Sequence, residues 1–522
     1  MDFTNVKYEH QDENMNIQLG DKIDINTFIE IARFKKQIEF SEQYVKRVKK
    51  SREVLEEMMA SDELMYGITT GFGALCSEKI SQEQTAELQE NLILSHAVSV
   101  GDPLNEEQVR ACMLMILQNL GQGYSGVRFE VLEMIRQFLN LNLIPWMPKE
   151  GSVGYLAPEA HFALTLIGRG RIFYQGKLCT AVEVLQAENI QPIQLHAKEG
   201  LALISGTTST TALGALALYD MQNAAKSADI IAALTLESLE GILVAFDERV
   251  MNVRPHPEQA KTASNIRRLL KDSELALQRH PIKLQDALSL RCIPQLHGAA
   301  KKVLNDALVT IEIEMNACCD NPIVWYDLDL DQKEIISACN PDSSYVGLAM
   351  DTAAIAATNL AKMSERRNNR LIDGSLSGFP SFLIKQPGLN SGLMIPQYTQ
   401  AALLNDMRIL SHPATIDNTP TCGNQEDYVA MGYNASKKAI SVVDKLEYIL
   451  AIELLSAYYS QQFLLENKKH SLAVETILTE LQKTIQVPEK DAYIFQFITE
   501  IKSMIHNGTL VSIVENVIGE LN

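Results

Sequence analysis

Four long stretches limit what this chain can fold into. Lys301–Met315, Leu348–Arg366 and Ala435–Leu465 hold no internal proline or glycine, and Thr211–Leu239 sets Leu213, Leu216, Leu218, Ile230, Ile231 and Leu234 among alanines. Spacings such as Val442, Leu446, Ile449 and Leu450 return at three and four residues, which puts them on one face of a helix rather than alternating across a strand. The longest stretches run roughly 20–30 residues, beyond the ~10–14 of an ordinary globular helix. Alone, such a helix leaves its apolar stripe in water. The chain is therefore expected to be all-α, a bundle of long helices whose faces are also shared with other subunits. A shorter helix is expected over Asn105–Leu120, where Asn105 can cap and Glu106 and Glu107 suit the first turn.

The 522 residues carry a formal net charge of -19, and that acidity excludes nucleic acid and anionic membranes as partners, since both need a basic face. Eight cysteines (Cys76, Cys112, Cys179, Cys292, Cys318, Cys319, Cys339 and Cys422) are scattered without metal-ligand spacing. Free thiols in a large chain, with a polar segment from Met1 to about Asn16, predict a cytoplasmic protein without a signal peptide. No apolar run approaching the ~18 residues of a membrane span is expected. No metal site is read from the sequence.

Glycine and proline cluster at Tyr66–Gly73, Gly121–Gly126, Pro145–Pro158, Asn340–Gly347, Gly374–Gly392 and Pro413–Gly423. Loops on a rigid helical scaffold are the usual place for a site. The coarse division expected is an N-terminal part, 1–200, with the site loops, a central long-helix bundle, 201–465, and a C-terminal helical tail, 466–522. Gly121–Gly126 matches G-x-G-x-x-G. A helix precedes it, however, so a helix-ending turn is expected in place of a dinucleotide site. His161, near Glu159, is expected to be packed or capping.

Eight segments, in order, resemble the aromatic amino acid ammonia-lyases. They are Tyr66-Gly67-Ile68-Thr69-Thr70-Gly71-Phe72-Gly73, Leu94-Ser95-His96, Gly151-Ser152-Val153-Gly154 with Leu156-Ala157-Pro158, Lys198-Glu199-Gly200-Leu201-Ala202-Leu203-Ile204, Ser289-Leu290-Arg291-Cys292, Asp320-Asn321-Pro322, Pro387-Gly388-Leu389-Asn390-Ser391-Gly392 and Asn424-Gln425-Glu426-Asp427. The resemblance implies the long-helix bundle of the histidine and phenylalanine ammonia-lyases, and a homotetramer with active sites shared between subunits. The histidine branch is the nearer match, because His96 and Glu426 stand where histidine lyases hold the substrate imidazole. A carboxylate and a histidine can both hydrogen-bond a nitrogen heterocycle, whereas a phenyl ring would leave them unpaired.

By the same resemblance Tyr66 is the general base and, with Glu426, a candidate catalytic residue. A tyrosine serves as base only if its surroundings favour the phenolate. Arg291 looks like the clamp for the substrate carboxylate, which its planar guanidinium can pair bidentately. His96, Ser205, Gln285, Asn340, Met394 and Gln425 complete the candidate substrate-binding set.

Family members form an electrophilic ring, methylidene-imidazolone (MIO), from an internal Ala-Ser-Gly that follows Gly-Ser-Val-Gly. Here Tyr155 follows Gly154 directly. The family's supports of that ring differ as well: Tyr155 replaces the following aspartate, Ser205 an asparagine, Leu288 a tyrosine, Pro341 a phenylalanine, and Thr69 an asparagine. The expectation is an MIO-independent elimination of a good leaving group from a small, histidine-like carboxylate. In this the chain resembles ergothionase, a relative that releases trimethylamine from ergothioneine, a trimethylated thiol-histidine. Two alternatives remain. One is a conventional MIO-dependent histidine ammonia-lyase, which needs the triad between Gly154 and Tyr155. The other is a non-catalytic homologue that binds a histidine-like ligand.

Overall fold

The computed structural model describes residues 16–522 other than Asp21, 61–64, Cys76, Lys79, Gln82, Glu83, Pro281 and 465–467. Cys76, Leu465 and most of the N-terminal segment read for a signal thus lie outside the described residues. The chain is all-α, and among the described residues the strands are short, two to five residues, paired in twos and threes. Three helices dominate its length: Thr208–Ser238, Ser344–Ile372 and Gly432–Ser460. The helix expected at Lys301–Met315 begins earlier, giving Ile293–Met315.

The chain forms two compact units, each assembled from three segments. One holds residues up to Leu213, Glu312–Ser343 and Asn418–Tyr433; the other holds Gly214–Ile311, Ser344–Asp417 and Asn434–Asn522. The three-part division by chain order does not follow these segments. In the first unit, helix Glu106–Gly121 starts as its sequence predicts. The Asn105 side chain accepts the Gln108 amide at 3.0 Å, and the Gln108 side chain accepts the Asn105 amide at 3.0 Å. The helix ends at Gly121, where Tyr44 packs closely: a Cβ there would lie 2.1 Å from the Tyr44 ring. The G-x-G-x-x-G segment is accordingly a helix-ending turn.

Among the described residues one helical stretch, Glu199–Ser238, is long and apolar enough by composition to cross a membrane. This corrects the expectation that no such run exists. Its apolar window is entirely buried in the protein, so packing between helices accounts for the composition.

The second unit has a polar core. Arg367 forks onto both Glu453 oxygens at 2.6 and 2.9 Å, and the Thr235 hydroxyl donates to Glu453 at 2.8 Å, tying the three long helices together. Buried Asp229 accepts hydrogen bonds from His297 at 2.8 Å and from Lys301 at 2.5 Å. Burial alone would raise the Asp229 pKa, but Lys301 and His297 outweigh it and hold it at about 2, below the ordinary 3.8. The resulting stabilisation is present above 3.8 and lost as pH falls through about 2. The stability gap between wild type and Asp229→Asn, followed by urea unfolding, should therefore close across that range.

Candidate active site

The Tyr66 loop is pinned from both sides. Met65 and Ile68 are buried in a cluster with Val54, Leu55, Ala197 and Val324. Thr69 accepts the Met65 amide at 2.8 Å, and Thr70 accepts the Gly67 amide at 3.1 Å. Gly67 is left-handed at φ 65, and a Cβ there would meet Leu201 at 2.6 Å, so the turn needs glycine. The result is a fixed phenol whose oxygen accepts the Gly73 amide at 3.0 Å.

His96 is the last residue of helix Thr85–His96. Its Nδ1 lies 2.8 Å from the Leu92 carbonyl. A carbonyl only accepts, so the proton sits on Nδ1, and Nε2 is left as the acceptor nitrogen. Glu426 sits in the loop closed by Thr421, whose hydroxyl donates to its carboxylate at 2.8 Å. Gln425 and Asn340 are exposed, and Asn340 donates to the Cys318 carbonyl at 3.3 Å.

After Gly154 the chain turns sharply. The Gly154 carbonyl accepts the Thr210 hydroxyl at 2.7 Å, and the Tyr155 carbonyl accepts the Ser152 hydroxyl at 3.0 Å. Leu156 stands at φ 80, ψ -71, a strained conformation for a branched side chain, just before helix Ala157–Leu166. Burial first, and then the charges of Glu426, Cys339, Asp342 and Tyr66, push the Tyr155 pKa well above the ordinary tyrosine value. Tyr155 is thus a neutral donor at ordinary pH. Motif comparison notes Tyr155 only as a replacement, and nothing local marks Cys339 or Asp342, because their relation to it is formed across the fold.

Several matched motifs prove to be braces. Lys198 and Asp320, both fully buried, pair at 2.6 Å. Glu199 receives Arg128 through two nitrogens, each at 2.7 Å. Gly200 lies where a Cβ would meet the Gln89 carbonyl at 2.6 Å. Gln89, which sequence reasoning missed, accepts the Leu201 amide at 3.0 Å. Ser205 is 4% exposed; its hydroxyl accepts the Asn321 amide at 3.2 Å and its carbonyl accepts Asn119 at 3.3 Å.

The other candidates belong to the second unit. Arg291 ends the short helix Leu288–Arg291, and its Nε is buried without a hydrogen-bond partner. Gln285 is exposed, Leu288 is 61% exposed, and Met394 opens helix Met394–Leu410. His161 is half-buried beside Trp146 and Arg171, with burial lowering its pKa. Among the described residues no group of three or more His, Cys, Asp or Glu is placed to hold a metal.

The model of the aromatic amino acid lyases matches residues 23–483. The chain belongs to the aromatic amino acid lyase family. Among curated relatives of this lyase, a histidine ammonia-lyase from Caldanaerobacter subterraneus subsp. tengcongensis is 43% identical over 85% of this chain and 87% of its own length. Among solved structures, the histidine ammonia-lyase of Trypanosoma cruzi aligns with a TM-score of 0.89 at 33% identity, covering 96% of this chain and 95% of that one. Ergothionase from Treponema denticola, solved with desmethyl-ergothioneine sulfonic acid, aligns with a TM-score of 0.86 at 26% identity, covering 95% and 100%. Within the aromatic amino acid lyases this chain is of the histidine ammonia-lyase type.

Proposed function

We propose that this lyase eliminates an amine from a small, histidine-like carboxylate without MIO, and that trimethylamine release from ergothioneine is the reaction to test. The observation that carries the proposal is the direct Gly154–Tyr155 junction. Residues 151–158 hold no Ala-Ser-Gly, so they do not fit the ring, and no step is routed through it. The concurrent changes at Ser205 and Leu288 support the same reading, as does the structural likeness to an ergothionase.

In this scheme His96 Nε2 and Glu426 hold the heterocycle, and pairing the substrate carboxylate is the role that the family resemblance gives Arg291. The Tyr66 oxygen takes the proton from the carbon next to the one bearing nitrogen. The C–H electrons become the C=C bond and the C–N electrons leave with the amine. A quaternary ammonium departs as a neutral amine and keeps its charge until it does, whereas a primary ammonium loses an N–H proton more readily than the C–H proton and is then a poor leaving group. Homotetrameric assembly with shared sites and a cytoplasmic location belong to the same proposal. Exposed Ile282, Leu284 and Leu288, close in sequence to Gln285 and Arg291, support assembly, since apolar patches of this kind mark contact surfaces.

A second reading, conversion of histidine to urocanate and ammonia with MIO, is favoured by 43% identity to a histidine ammonia-lyase. The mass of the proteolytic peptide Gly151–His161 decides between them. The expected mass is that of the printed residues, with trimethylamine released from ergothioneine and histidine turned over far more slowly. Extra mass equal to Ala-Ser-Gly less two waters would overturn the proposal. Arg291→Ala should weaken carboxylate ligands roughly 10–100-fold by calorimetry, the value of a hydrogen bond to a charged group. Unchanged affinity would remove Arg291 from the site.

A further inference from the structure

We infer that a cavity beside the start of helix Met394–Leu410 binds a small aromatic carboxylate, with its ring among Tyr448, Tyr459, Tyr493 and Phe495 and its carboxylate on Lys490. The lining holds none of Tyr66, His96, Arg291 or Glu426, so such a ligand binds independently of the proposed elimination.

The cavity has a volume of about 600 Å³, within the ~300–1,000 Å³ of small-molecule sites. Its walls come from three segments of the second unit, 384–403, 448–459 and 488–498. Hydrogen bonds fix the first segment to the third. The Asp491 carboxylate accepts the Ser391 amide at 2.8 and 3.0 Å and the Gly392 amide at 2.8 Å, and the Asp491 amide donates to the Asn390 side chain at 3.1 Å. Gly392 is left-handed at φ 56, and a Cβ there would lie 2.4 Å from the Phe382 carbonyl oxygen, so this course of the loop needs glycine. The cavity is thus set by the backbone, and a ligand does not have to order it on binding.

Apolar side chains, among them Leu393, Ile395, Leu403 and Ile498, accompany the four aromatic rings on the wall. The Tyr493 and Phe495 rings stand with centroids 5.9 Å apart, an arrangement to which a further flat ring can be added. Two polar groups on the wall lack partners. Tyr459 is 2% exposed, yet its hydroxyl makes no hydrogen bond, whereas that of neighbouring Tyr458 donates to the Ile485 carbonyl at 3.0 Å. A buried hydroxyl is rarely left so, which points to a partner supplied from outside the chain. Lys490, exposed on the lining, forms no ion pair or hydrogen bond among the described residues. The other charges nearby are engaged. Both Asp491 oxygens take backbone amides, and Lys502, 5.5 Å from the Tyr448 ring centroid, pairs with Asp444 and Glu447 at 3.0 Å each. The charge left for a ligand is therefore positive, and a flat apolar body ending in a carboxylate complements it.

Calorimetry of the full-length protein with β-naphthoate, neutral β-naphthamide and cationic β-naphthylmethylamine tests this. The acid should bind roughly fivefold tighter than the amide, the upper value of an exposed ion pair, and the amine more weakly than either. Lys490→Met should bring acid and amide level. Thr399→Trp, which sets an indole into the cavity from an exposed helix position, should weaken all three about tenfold or more while leaving urea unfolding unchanged. Equal binding of acid and amide by wild type overturns the site, and so does an acid preference that survives Lys490→Met. Undiminished binding by Thr399→Trp puts the ligand elsewhere, the proposed elimination site included, and overturns it as well. Light scattering of the same variant reads the remaining case: a loss of subunits makes the cavity a contact between copies of the chain and overturns the ligand site.

Discussion

Tyr66→Phe is expected to lower turnover by ~10²–10⁴-fold while leaving the fold intact, because a positioned general base contributes about that much. Without an electrophilic ring, the proposed elimination rests on proton removal and a good leaving group, so loss of the phenol oxygen removes the assigned base. The geometry favours that role. The Gly73 amide donates to the Tyr66 oxygen at 3.0 Å, an orientation that stabilises the oxygen when it carries negative charge. The substitution is mild structurally, since Met65 and Ile68 anchor the turn through side chains that do not change. The measurement is kcat for amine release, with ligand affinity by calorimetry and unfolding by urea as controls. Undiminished turnover in the variant would sink the base assignment.

Lys198→Ala should destabilise the protein by about 3–5 kcal/mol, since it leaves the Asp320 carboxylate buried and unpaired. The double variant Lys198→Met with Asp320→Leu should recover much of that loss, because it removes both charges from the interior. The site should feel the single change as well. Asp320 precedes Asn321, whose amide is held by Ser205, and the Asp320 carboxylate also accepts that amide at 2.7 Å. Urea unfolding of the single and double variants checks this. A loss below about 1 kcal/mol in Lys198→Ala would mean that water reaches the pair and that the segment is braced by something else.

These two cases show different degrees of legibility. The turn at Tyr66 was readable because it is a local string whose glycines have geometric duties, among them Gly67 for its left-handed turn and Gly73 for its amide. Lys198-Glu199-Gly200 was equally readable as a string, but its purpose was not. The string alone points to chemistry, whereas the structure uses its three residues for an ion pair with Asp320, a fork with Arg128 and a close approach to Gln89. Ser205 is similar: it reads as a site position, yet its hydroxyl is engaged by a neighbouring segment.

By itself the sequence determined the long helices, the capped start at Asn105 and the family, because periodicity, capping and motif order are local or linear properties. Asn105 and Gln108 cap each other across a single turn, and no distant residue is needed to foresee it. Only the tertiary structure decided which charges neutralise one another and what stands around Tyr155. Lys198 and Asp320 are 122 positions apart, and the groups that shift Tyr155, namely Tyr66, Cys339, Asp342 and Glu426, come from three other segments. Burial and the direction in which a side chain leaves its element set such encounters, and neither quantity is written in the spacing of residues along the chain.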